Sequence, residues 1–131
     1  MSMDSRDKSS RSRAGLLQSF RCAFEGIAGS VRQERNMKIH LTMSVLVIIL
    51  GLVLSIDQTE WMLIALAIGG VLSAELMNSA VEKAVDLYTR DFHPLAKMAK
   101  DMAAGAVLVI SVAAMVIGLL IFIPKLFVLF S

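Results

Sequence analysis

The chain has 131 residues, of which 56% are hydrophobic, and a formal net charge of +2. That much apolar mass, gathered in long runs, excludes an ordinary soluble domain and indicates a small polytopic membrane protein. The single cysteine, Cys22, excludes an intrachain disulfide and a cysteine-based metal cluster, and the near-neutral charge with few aromatics argues against a nucleic-acid partner.

Residues 1–14 are polar, charged and rich in Ser, and read as a disordered basic tail. No apolar stretch follows closely enough to make them a signal peptide. Over 15–33, Leu17, Phe20, Phe24, Ile27 and Val31 recur at spacings of three and four, with Gln18, Arg21, Glu25 and Arg32 on other faces. This predicts an amphipathic helix too polar to span, lying on the membrane surface.

A charged approach, Arg32 to His40, leads into a first span over 39–56. The turn Asp57-Gln58-Thr59-Glu60 carries no Lys or Arg, and Trp61 opens the second membrane helix, 61–88, as an interfacial anchor. Residues 89–95 break the helix around Pro94, and a third membrane helix covers 95–123, with Pro124 and Lys125 at its end. Small residues such as Ala103, Gly105 and Gly118 suit close helix packing. Eight of the thirteen Lys and Arg fall at or before Lys38, and the 57–60 turn has none. The positive-inside rule then puts the N-terminus in the cytoplasm. The expected architecture is a single all-α membrane domain.

The apolar run from Trp61 ends at Ala74 and is followed by Glu75-Leu-Met-Asn78-Ser79-Ala-Val-Glu82-Lys-Ala-Val-Asp86. At ~100° per residue, Glu75, Asn78, Ser79, Glu82 and Asp86 fall within about 60° of one another's mean direction. Acids at membrane depth cost at least ~2–3 kcal/mol each on insertion scales, so this face is a candidate functional site. Glu34 precedes the first span, and Lys100 and Asp101 begin the third, so these groups meet at one boundary of the bilayer. Oxygen ligands spaced in this way suit a hard cation such as Mg²⁺ that keeps waters and phosphate oxygens. Lys100 offers a point charge to phosphate, and Asp91, Phe92 and His93 offer loop contacts to a base or ribose. No GxxxxGK[ST] and no protein-kinase signature is present. Residue patterns alone leave three classes open: an enzyme acting on lipid, an ion pathway, and a structural subunit.

Three separated blocks resemble the prokaryotic diacylglycerol kinase family. They are Glu75-Leu-Met-Asn78-Ser79-Ala80-Val-Glu82 with Val85-Asp86, His93-Pro-Leu-Ala-Lys-Met-Ala-Lys100-Asp101-Met102-Ala-Ala104-Gly-Ala106, and Arg32-Gln33-Glu34-Arg35-Asn36. The Glu60-Trp61-Met62 block and Gly69-Gly70 look most like the Gram-positive branch, whose members act as undecaprenol kinases. The resemblance implies a homotrimer of three-span subunits with surface helices, in the bacterial cytoplasmic membrane, with active sites facing the cytoplasm and shared between subunits. It implies ATP as co-substrate, Mg²⁺, and a lipid alcohol acceptor, undecaprenol or alternatively diacylglycerol. Glu75 then matches the catalytic base and Asn78 a polar residue of the active site. Glu34 and Glu82 match the holders of the nucleotide-bound metal. Asp91, Phe92, His93, Lys100 and Asp101 fall in the ATP-contacting segments. The family's proteobacterial members carry an arginine and a tyrosine in the surface helix where Gly15 and Cys22 stand here, with Arg13 or Arg21 as substitutes. A small proton- or cation-conducting protein is the reading from a different class.

Overall fold

The computed structural model describes residues 5–130, with side chains described over 15–129. Among these residues there are four helices and no strand: α1 (Ser5–Gln33), α2 (Arg35–Val53), α3 (Gln58–Tyr88) and α4 (Pro94–Phe130). The chain divides into two compact units, 1–33 and 34–131.

The first unit is α1. Leu16, Leu17, Phe20, Phe24 and Ile27 are all exposed, as expected of an apolar face that finds no partner inside this unit. Arg21 and Glu25 form an i,i+4 ion pair at 2.8 Å. The helix begins at Ser5, ten residues before the expected boundary at Gly15. No Pro or Gly lies between Ser5 and Ala14, so nothing in that stretch halts a helix already running downstream. Residues 1–4 of the expected tail lie outside the described residues.

The second unit holds three helices, each long and apolar enough to cross a membrane. The chain is therefore a multi-pass membrane protein. Glu34 breaks α1 from α2 in an extended conformation (φ −97, ψ 124), so α2 starts four residues earlier than the expected span. It ends in a Schellman-type turn. The amides of Ser55 and Ile56 donate to the carbonyls of Leu52 and Gly51, and Ser55 takes the left-handed position at φ 48 where glycine is usual. Asp57 and Glu60 then form a reciprocal capping box, with Glu60 N donating to Asp57 Oδ1 at 3.0 Å and Asp57 N to Glu60 Oε2 at 2.8 Å. The box starts α3 at Gln58, ahead of Trp61.

α3 makes its larger interface with α4 and a smaller one with α2. The apolar core sits at the Trp61 end, where Ile56, Ile64, Ile121 and Phe122 are buried together and Trp61, Leu50 and Ile117 pack around them. Gly51 is required there, because a Cβ on it would stand 2.9 Å from the Trp61 ring. Farther along, a Cβ on Gly70 would meet the Ile110 side chain at 3.2 Å, so α3 and α4 approach closely at that level.

α4 does not end at Pro124. It continues to Phe130 with the proline inside it. A membrane helix tolerates the missing backbone donor when neighbouring groups fix the segment. Here Lys125 Nζ reaches Glu60 Oε2 at 3.0 Å, which ties the helix beyond the proline to the start of α3.

Candidate active site

The buried face of α3 is a single stripe: Ile64, Ala67, Val71, Glu75, Asn78 and Ser79. Its chemistry changes from apolar to polar at Glu75, ~26 Å along the helix from Gln58 at 1.5 Å per residue. Glu75 is 2% exposed and Asn78 6% exposed. None of the side-chain hydrogen bonds and ion pairs among the described residues involves the Glu75 carboxylate. A carboxylate so far buried is costly without a partner, which makes Glu75 a candidate for one supplied by a ligand.

One turn on, Asn78 Nδ2 donates to Glu82 Oε1 at 2.9 Å. Asn78 Oδ1 is buried and accepts nothing among the described residues. Its partnered amide nitrogen holds the side chain in place, and its free carbonyl oxygen faces an unmet need for a donor or a cation. Glu34, at the N-cap of α2, makes no capping bond with its side chain. It is ion-paired to Lys83 of α3 instead. The local partners Arg35 and Lys38 do not take that place.

A second cluster begins one turn past Glu82. A pocket of about 370 Å³ is lined by Asp86, Arg90, Asp91, Phe92, His93, Lys97, Lys100 and Asp101, among others. It lies where the loop 89–93 turns α3 back into α4. Lys100 Nζ pairs with Asp86 Oδ1 at 2.6 Å, and Lys97 pairs with Asp101. His93 Nδ1 accepts from the Leu95 amide at 3.3 Å. The ring thus caps the start of α4.

On the opposite side of Glu75 lies an apolar groove of about 420 Å³ between the three helices. His40, Ser44 and Val47 of α2, Ile64 and Val71 of α3, and Ser111, Gly118 and Phe122 of α4 line it. Val71 is the last α3 residue in its lining, so the groove ends one helical turn, ~6 Å, before Glu75. The residues expected at the site therefore fall into two adjoining sets. Glu75, Asn78 and Glu82 form one along α3, and Glu34 joins the flank of the same helix through its ion pair with Lys83. Asp91, Phe92, His93, Lys100 and Asp101 form the other around the loop. Sequence reasoning missed Lys83. Its signal was a cation embedded among Glu75, Glu82 and Asp86, but its partner lies 49 positions away and no periodicity points to it.

No group of three His, Cys, Asp or Glu side chains among the described residues is placed to hold a metal ion alone. The donors present are hard oxygens: the carboxylates of Glu75, Glu82 and Glu34, and the orphaned amide carbonyl of Asn78. Such a set suits Mg²⁺ completed by phosphate oxygens and water, which takes one or two protein carboxylates.

Fold and site together define a three-span helical membrane protein with an acidic centre between an apolar groove and a polar pocket. The chain belongs to the prokaryotic diacylglycerol kinase family, whose model matches residues 21–122. It is 48% identical over 124 residues to an undecaprenol kinase of Bacillus subtilis (strain 168), covering 95% of this chain and 100% of that protein. It is 39% identical over 112 residues to a diacylglycerol kinase of Synechocystis sp., covering 85% of this chain and 64% of that protein. A diacylglycerol kinase of Helicobacter pylori (strain J99) is 36% identical over 98 residues, 72% of this chain and 77% of its own length.

Proposed function

We propose that this protein transfers the γ-phosphate of ATP to the hydroxyl of undecaprenol, giving undecaprenyl phosphate. The observation that carries the reading is the buried Glu75, one helical turn beyond the last α3 residue lining the apolar groove. A long prenol brings one hydroxyl and no other polar atom, and the groove offers its chain apolar walls that end one turn from that carboxylate. The full-length similarity to an undecaprenol kinase supports this acceptor over diacylglycerol. The two relatives named diacylglycerol kinases are more distant and keep the second acceptor as the alternative.

Phosphoryl transfer asks the protein for positioning and charge stabilisation. The acceptor oxygen attacks the γ-phosphorus, the bond to the β,γ-bridging oxygen breaks, and ADP leaves. Glu75 takes the hydroxyl proton as the new P–O bond forms. Asn78 fixes the geometry between the proton acceptor and Glu82. Glu34 and Glu82 would hold Mg²⁺, which when bound neutralises the β- and γ-phosphates. Lys100 leaves Asp86 to meet phosphate charge, and Asp101 and the loop residues Asp91, Phe92 and His93 contact the rest of the nucleotide.

The active form is a homotrimer in the bacterial cytoplasmic membrane, with the N-terminus and the site on the cytoplasmic side. The concentration of Lys and Arg before Lys38 supports this orientation. The apolar faces that α2 and α4 leave exposed, Leu46 and Ile49 on one and Val109 and Leu120 on the other, support contact with lipid or further copies.

The test is direct. Purified protein in detergent receives γ-labelled ATP, Mg²⁺ and either undecaprenol or diacylglycerol. Label should enter undecaprenol faster, by about tenfold or more in kcat/KM, the ratio that ~1.4 kcal/mol of differential transition-state binding produces. A reversed ratio makes diacylglycerol the acceptor. Label in neither lipid, with ion flux through reconstituted liposomes, replaces the kinase reading with an ion pathway.

A further inference from the structure

We propose that Lys83 is a tethered counter-ion for Glu34, holding its carboxylate until a metal–triphosphate arrives. Divalent metal is then admitted with nucleotide and poorly without it. The inference rests on the assignment of Glu34 to the metal site made above, and it deepens that assignment.

Glu34 stands at the N-cap of α2, a position where the shorter Ser, Thr, Asp and Asn are the residues that turn back onto the first free amides. Its side chain makes no such bond. The carboxylate reaches across to Lys83 of α3. Lys83 directly follows Glu82, and at ~100° per residue it sits about 80° around the helix from Glu75, on the flank of the acidic face. The other two lysines near the site have acids of the polar pocket as partners, Lys100 with Asp86 and Lys97 with Asp101. Lys83 is thus the lysine paired with a carboxylate assigned to metal.

The pair is open to water, with the Lys83 side chain 54% exposed and that of Glu34 25% exposed. Exposed ion pairs are weak and exchange readily. A lysine suits this use, because its ammonium is a compact charge on a flexible stem and does not grip a carboxylate in a two-bond fork. When a triphosphate enters with its metal, Glu34 exchanges an ammonium for a divalent cation. The released Lys83 then lies within the reach of its stem from the same site and meets phosphate oxygens. No covalent bond changes.

A lysine that simply ties α2 to α3 makes a different prediction from one that competes with metal. Purified protein in detergent is titrated with Mn²⁺ alone, followed by electron paramagnetic resonance. It is then titrated with a non-hydrolysable ATP analogue and Mg²⁺, without lipid acceptor. K83M should bind Mn²⁺ alone about threefold to fivefold more tightly than the wild type, and the analogue more weakly by a similar factor, the scale set by one exposed ion pair. K83R should return both affinities toward wild type, and K83Q should repeat the K83M pattern if the methionine variant does not fold. Both affinities falling together, or neither moving, overturns the proposal. If wild-type protein binds neither Mn²⁺ nor the analogue, the metal-site assignment itself fails. Wild-type binding with indistinguishable variants removes only the role of Lys83.

Discussion

E75Q should lose turnover by about 10³-fold while binding ATP within about twofold of wild type, because a positioned general base contributes roughly 10²–10⁴-fold. Glutamine keeps the shape of the side chain and removes its ability to take the hydroxyl proton. Glu75 is buried and has no partner among the described side chains, so no ion pair is broken and the packing of α3 is expected to survive. The loss should appear in kcat and leave the KM for ATP nearly unchanged, the signature of an interaction made only in the transition state. A near-wild-type rate would remove Glu75 from the proton-accepting role. A rate lost together with nucleotide binding would make it a ligand-holding residue instead.

E82Q should show the complementary pattern. The substituted amide still offers an oxygen to Asn78 Nδ2, which in the wild type donates to Glu82 Oε1 at 2.9 Å, so the local fold is retained while the charge is lost. A magnesium ion that takes only one or two protein carboxylates depends heavily on each of them. Affinity for Mg²⁺ and an ATP analogue should therefore fall by about 10- to 100-fold, with turnover falling at least as far. Equilibrium binding in the absence of lipid measures the first and labelled phosphate transfer the second. Unchanged analogue binding in E82Q would place the metal elsewhere.

The legible part of this molecule was its periodicity. The stripe that is apolar from Ile64 to Val71 and polar from Glu75 onward is a property of one helix, and ~100° per residue suffices to see it. The three apolar runs likewise announce themselves by length. What stayed hidden depends on distances between elements. The Glu34–Lys83 pair joins residues 49 positions apart. The Lys125–Glu60 pair, which holds α4 helical beyond Pro124, joins the far ends of the span region. Local reasoning rightly treats proline as a stop signal and cannot see the contact that overrides it. The groove was hidden for the same reason. Its walls come from three helices, and in sequence His40, Val71 and Ser111 are only scattered members of membrane spans. The Lys100–Asp86 pair is hidden in the same way, because it joins α3 to α4 across the turn.

The most direct check on the account is to ask where an acceptor's hydroxyl comes to rest. A prenol carrying a diazirine beside its hydroxyl is irradiated with the purified protein, and the labelled peptides are mapped by mass spectrometry. Adducts should concentrate at the Glu75 end of the groove, on Val71 to Glu75 of α3 and around His40 of α2, and an excess of unlabelled undecaprenol should compete them away. Adducts confined to α1, or to the Trp61 end among Ile64, Ile121 and Phe122, would show that the hydroxyl does not reach the buried carboxylate.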